Sequence, residues 1–235
     1  MNISISYYSS AGGRFRNEDA AAVTESKSGV LAIVADGLGG QGNGDEASAI
    51  AIKSFQYEIS QSSVSENLMA KAAVKANEEI RKAQNDGKMC STLAALWLED
   101  SCAYTVHAGD TRIYQFRDNK MLCRTLDHSV SQMAVIMGEI KEYEIRGHKD
   151  RNRLIKALGA SADLKPETQR LDVKKGDAFL LCSDGFWELI TEEEMLECLY
   201  GCMNAGEWLR MMRTRIEHKT TSGSDKHTAA AIIIE

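Results

Sequence analysis

Apolar and polar positions along this chain follow two periods, and the switches between them mark out its elements. From Leu31 to Ala35 the apolar run is unbroken and stops on Asp36-Gly37. That is the pattern of a strand buried on both faces, ending where a glycine lets the backbone turn. An Asp-Gly pair between strands ordinarily makes a hairpin, but no second strand comes directly after it. A glycine-rich stretch from Leu38 to Gly44 leads instead to Asp45, Glu46 and Ala47, then to Ile52, Phe55 and Ile59 at helical spacing. The loop therefore joins a strand to a helix, expected over 45–60.

The rest of the chain divides by the same reading. Residues 3–8 alternate as a first strand, and Leu68, Ala72, Ala76 and Ile80 recur four apart, which predicts a second amphipathic helix over 64–85. Residues 90–99 and 102–110 read as adjacent strands joined at Asp100-Ser101. IYQF and MLCRTL form a hairpin across Arg117 to Lys120. From Asp127 to Gly159 the pattern turns helical and polar, with Met133, Ile136 and Met137 on one face. Strands resume at 168–173 and 178–183, helices at 191–200 and 204–217, and a last strand at 228–234. Consecutive strands and paired helices in this order fit neither a βαβ repeat nor an all-β chain.

The strand that ends on Asp36 has two counterparts. AFLLCSDGFW closes on Asp184-Gly185 before the helix signal Thr191 to Glu194, and Ser224-Asp225 opens the last apolar run. Three acids delivered by strand ends, distant in sequence, suit clustered oxygens for a hard divalent cation. Asp110, after Gly109, is either a fourth acid of this kind or a turn residue before Ile113 to Phe116, and its claim on the site is weaker than that of the other three. Upstream, residues 12–19 crowd Arg14, Arg16, Glu18 and Asp19 into one short segment. Arg14 is the best placed anion ligand, because a guanidinium holds two phosphate oxygens at once. Glu18 and Asp19 add oxygens for a metal or its waters.

Composition narrows the alternatives. With 235 residues and 43% hydrophobic content, the chain supports one domain over 1–235. A net charge of −6 and the lack of a lysine-arginine cluster argue against nucleic acid as a partner. No signal-peptide pattern and no bilayer-length apolar run occur, so a cytoplasmic chain without membrane contact is expected. Six cysteines without a CxxC pair read as reduced core residues. The helical pattern around Cys198, Cys202 and His218 favours packing over a zinc site. His128 and His148 read as structural.

Seven fragments, RFRNEDA, VADGLGG, HAGDTRIY, LDHS, KALG, LLCSDGFWE and SDKHTAAAII, resemble in order and spacing the metal-dependent type 2C protein phosphatases, from Arg14 to the final strand. The resemblance implies an α+β fold: a four-layer αββα sandwich of two antiparallel sheets flanked by helices, with the metal site at one end. It implies two Mn²⁺ or Mg²⁺ ions bridged by Asp36. Asp184 and Asp225 would complete one ion, the Gly37 carbonyl and Glu18 the other. By the same resemblance Asp19 would bind metal waters, Asp110 would hold a third, weaker ion, and Arg14 would grip the substrate phosphate.

The implied activity is hydrolysis of phosphoserine and phosphothreonine in proteins by a metal-activated water, as a monomer, opposing a Ser/Thr kinase. Two other functions fit less of the pattern. One is an inactive relative that binds phosphoproteins as a regulator. The other is a different two-metal enzyme such as a phosphodiesterase or nuclease. Three positions depart from the family pattern. Leu38 stands where many members carry a general-acid His, and Lys226 where Asn is usual beside the last metal ligand. Ser91-Thr92 replaces the usual Gly-Thr, a difference expected to concern packing alone.

Overall fold

The computed structural model describes residues 2–39, 43–84 and 88–235. Gly40, Gln41 and Gly42 of the glycine-rich loop, and Asn85 at the end of the second expected helix, lie outside the described residues. One antiparallel sheet runs β1 (Ile3–Ser10), β11 (His227–Ile234), β10 (Ala178–Cys182), β7 (Arg112–Arg117), β8 (Lys120–Arg124). The other runs β2 (Asp19–Ser26), β3 (Gly29–Leu38), β5 (Leu93–Leu98), β6 (Cys102–Ala108), β9 (Glu167–Asp172), with β4 (Cys90–Ser91) continuing against the end of β3.

The unbroken apolar run of β3 has the reason expected for it: both of its faces are covered. Val30, Ala32 and Val34 meet Ile113, Phe179, Leu181, Ala230 and Ile232 of the opposite sheet. The alternate residues Leu31, Ile33 and Ala35 face Ala51, Phe55, Met69, Ala76 and Ile80. These belong to α1 (Gly44–Ser60) and α2 (Glu66–Ala83), which cover the outer face of that sheet. On the other outside, Tyr114, Leu180 and Ala231 pack against Met195, Trp208, Met212 and Ile216. The last four come from α5 (Glu192–Tyr200) and α6 (Ala205–Lys219). The layers are thus helix, sheet, sheet, helix, and each large apolar side chain buried in them contributes about 1.5–3 kcal/mol.

Two segments differ from the expectation. DAAAVTES, too rich in alanine to show a strand pattern, is β2, held by eight residue pairs to β3 from Asp19↔Asp36 to Ser26↔Gly29. The stretch 127–159 is helical only at α3 (Val130–Ile136) and in a 3₁₀ turn at Glu142–Gly147. Gly138, at φ +76, stands just past the end of α3, and Ile136 and Met137 are exposed rather than packed. Val130 and Ile155 donate their N–H groups to Arg153 and His128 carbonyls, so the segment folds back on itself. In the β7–β8 hairpin, Asp118 and Asn119 both have positive φ, as a two-residue primed turn requires.

Candidate functional site

Strand register brings the acidic segments to one end of the sandwich. Asp19 on β2 lies opposite Asp36 on β3. Cys182, the last residue of β10, lies opposite Ala229 of β11 on one side and Arg112 of β7 on the other. The loops carrying Asp184, Asp225 and Asp110 therefore emerge together at that end. Asp36 and Asp19 share the strand face of Val34, Ala21 and Val23 and point into the gap between the sheets.

Asp36 is anchored through its backbone. Its N–H donates to Thr92 Oγ1 at 2.8 Å, and its carbonyl accepts from Thr92 N at 2.8 Å and Ser91 Oγ at 3.1 Å. Ser91 thus holds the key acid in place, beyond the packing role expected of it. Asp184 opens a short helix, α4 (Asp184–Trp187), and accepts from the Gly185 N–H at 2.6 Å. Gly185 lies so close to the Lys226 carbonyl that a Cβ there would stand 2.0 Å from that oxygen. Gly37 faces Gly44 with as little room, and the Gly44 N–H donates to Glu18 Oε1 at 3.2 Å. Glu18 and the Gly37 backbone are therefore neighbours at the start of α1.

One side chain missing from the expected set occupies the middle. Lys226 is 8% exposed, and its ammonium lies 3.2 Å from Asp36 Oδ1, 3.3 Å from Asp225 Oδ1 and 4.0 Å from Asp19 Oδ1. It is angled to donate to Asp225, which leaves Asp36 Oδ1 and Asp19 Oδ1 buried with no hydrogen-bond partner. Ser183 Oγ donates to the other oxygen of Asp19 at 2.8 Å. The Arg14 guanidinium, largely exposed, reaches Asp225 Oδ2 at 3.1 Å. A cleft of about 430 Å³ opens over this group, lined by Arg14, Arg16, Glu18, Leu38 and Lys226 among others.

Crowding of acids away from water shows in their protonation. Burial, reinforced by Asp19 and Asp110 and opposed by Lys226, pushes Asp36 well above the usual carboxylate range. Burial followed by the charges of Asp36 and Asp225 does the same to Asp184, and burial followed by Asp184 to Asp110. Burial also raises Asp19, to about 6, against Lys226 and the Ser183 hydroxyl. Asp225 moves the other way: Lys226, its N–H and Arg14 outweigh burial and lower it. Lys226 would be lowered by burial, but Asp36, Asp19 and Asp225 raise it. Such a site stores negative potential that only cations can relieve. The orphaned oxygens and the all-oxygen donor set fit hard divalent ions.

A second cluster fits a metal less well. Among the described residues, His107, His128 and Glu167 bring three ligand atoms within 4.8 Å of one another. The two imidazoles, however, stack at 4.6 Å and 9°, so their in-plane lone pairs run parallel and do not converge. His128 Nδ1 accepts from the Gly109 N–H, which places the proton on Nε2, facing Glu167 Oε1 at 2.7 Å. His107 Nε2 donates to the Leu126 carbonyl at 3.0 Å, and the Lys156 ammonium lies 3.4 Å from Glu167. These groups position the loop before Asp110. A cleft of about 460 Å³ beside Gly29, Val30 and Leu98 lies at the opposite end of β3 from the acids.

Known proteins resemble this chain in sequence and in fold. The model of the Protein phosphatase 2C family matches residues 10–220. A serine/threonine phosphatase, stp, of Listeria innocua is 31% identical over 197 residues, covering 79% of this chain and 78% of its own. The serine/threonine protein phosphatase PstP of Mycobacterium tuberculosis is 31% identical over 176 residues, 72% of this chain and 34% of that longer protein. Among solved structures, the S. agalactiae serine/threonine phosphatase superposes with a TM-score of 0.89 at 24% identity over the whole of both chains. The PstP catalytic domain, solved with two manganese ions, superposes at 0.81 with 24% identity over 100% of both chains. By the extent of the family match and by its sandwich of two antiparallel sheets between helices, this chain belongs to the protein phosphatase 2C family.

Proposed function

We propose that the chain hydrolyses phosphoserine and phosphothreonine in proteins with the help of two divalent cations, opposing a Ser/Thr kinase. The observation that carries this reading is the pair of buried oxygens Asp36 Oδ1 and Asp19 Oδ1, which have no hydrogen-bond partner and face the Lys226 ammonium, under a cleft edged by Arg14. Asp36, Asp184 and Asp225 would hold one ion. Asp36 with the Gly37 carbonyl and Glu18 would hold the other, with Asp19 on their waters and Asp110 beside Asp184 for a third. When bound, such ions neutralise phosphoryl oxygens and make a water acidic enough to attack.

The chain's own residues do the rest. Arg14, exposed at the cleft edge and paired with Asp225, would receive two oxygens of an incoming phosphate. Thr92 and Ser91 fix the Asp36 backbone, so its carboxylate is pre-set at low reorganisation cost. Leu38 lines the cleft and has no proton to give, so the leaving oxygen takes its proton from water or from another group.

With Mn²⁺ present, the protein is expected to hydrolyse p-nitrophenyl phosphate and a phosphothreonine peptide, and Asp36→Ala to lower the rate roughly 100-fold or more. Absence of turnover on both substrates would refute the reading. Lys226, lodged among the acids, favours a second reading in which the chain binds phosphoproteins without turnover. Loss of hydrolysis in Asp36→Ala, after activity in the parent, excludes it.

A further inference from the structure

Lys226 is built into the site rather than draped over it. Its backbone is clamped against Gly185, where even a methyl group would collide with the Lys226 carbonyl. Its N–H donates to Asp225 Oδ1 at 2.8 Å, which fixes the start of the side chain beside that acid. The ammonium then reaches Asp36, Asp225 and Asp19 at 3.2, 3.3 and 4.0 Å, and the side chain is 9% exposed. Asp36 Oδ1 and Asp225 Oδ1 are oxygens of two acids proposed to hold one divalent ion. A lysine nitrogen 3.2 and 3.3 Å from these two oxygens takes up the same space. Two positive centres so close in a site of low dielectric repel strongly.

We propose that Lys226 is a tethered counter-ion of the metal seat, a role that rests on the two-metal reading above. In the metal-free protein it neutralises the buried acids and keeps the end of the sandwich from being forced apart by their mutual repulsion. A divalent ion has to displace it, and the cleft lined by Lys226 itself gives the side chain somewhere to go. The residue therefore sets two quantities in opposite directions: it stabilises the metal-free fold and weakens the hold on metal. An uncharged residue at this position would do neither. Arginine would keep the charge but brings a broad, planar head in place of a compact one.

Calorimetric titration with MnCl₂ tests this on the parent, Lys226→Asn and Lys226→Arg, with melting temperatures of the metal-free proteins alongside. Lys226→Asn is expected to bind Mn²⁺ at least about tenfold more tightly, ~1.4 kcal/mol, and to melt at a lower temperature when metal-free. Lys226→Arg is expected to gain no affinity. A second measurement needs no variant: acetylation of Lys226 by acetic anhydride, read by mass spectrometry, should rise when Mn²⁺ is added to the parent. Equal affinities in the parent and Lys226→Asn overturn the proposal. If Lys226→Asn does not fold, acetylation decides, and labelling unchanged by Mn²⁺ overturns it. Failure of folded parent and variants alike to bind Mn²⁺ overturns the two-metal reading as well, so the two failures are told apart.

Discussion

Single side chains carry charge or protons in places that water does not reach, and His107 shows how this bears on stability. Burial lowers it from 6.5 to about 4, against its hydrogen bond to the Leu126 carbonyl and with the help of its neighbour His128. Folding therefore favours the neutral ring, and the unfolded chain binds the extra proton. Stability from this residue is fully present above 6.5 and is lost as pH falls through about 4. The loss amounts to about 3 kcal/mol at the lower end. His107→Gln should show a shallower fall in melting temperature over that window than the parent; parallel curves would show that the ring is not the cause. At this scale Asp36 and Asp184 were legible in the sequence, because Asp-Gly after an apolar run states both the position and the turn. The inward course of Lys226 was not. It depends on Gly185, forty-one positions earlier, and no local pattern around Ser224 to His227 records that contact.

Elements are joined near the site by one buried arginine. Arg112, the first residue of β7, gives two hydrogen bonds to Asp127, at 2.8 and 2.7 Å, and one to Tyr114 Oη at 3.0 Å. Its guanidinium stacks 3.5 Å above the Trp187 ring of α4, and Trp187 Nε1 donates to the Asp110 carbonyl at 2.9 Å. Strand, short helix and the acid-bearing loop are thus fastened to a single planar group. Arg112→Met removes the partner of a fully buried carboxylate and should cost about 3–5 kcal/mol, lowering the melting temperature by roughly 10 °C. Adding Asp127→Leu should recover part of that loss; no recovery would mean that Asp127 is not what suffers. Helices with a long apolar stripe, such as α2, were readable. The 127–159 segment was not, because its apolar residues keep helical spacing while its backbone groups bond across the segment, and spacing alone carries no trace of that choice.

The whole molecule separates what holds it together from what it works with. Its three apolar layers lie between and outside the sheets, whereas the acids gather at one end and rest on a lysine. Chelation of divalent ions with EDTA should therefore abolish hydrolysis and leave the far-ultraviolet circular dichroism unchanged. Unfolding on chelation would show instead that metal belongs to the fold. Cover on both faces was legible for β3, whose apolar run is unbroken; the four-layer order was implied by the family resemblance. Sheet order was not: β1 pairs with β11 from the other end of the chain, and each strand's pattern is compatible with several neighbours.

The β2–β3 ribbon bends at Lys27 and Ser28, and Asp19 and Asp36 close it at the far end, about 23 Å away along the strands. Because successive residues point to opposite faces, sliding one strand by a single rung would swing Asp19 out of the gap and toward α1. A lengthened tip that loops out freely leaves the acid-bearing end untouched, whereas one extra residue absorbed into the ladder takes Asp19 away from Asp36. The counting of rungs at a remote bend thus decides whether the two acids meet, and length variation in this ribbon is a change an engineer of the enzyme has reason to avoid.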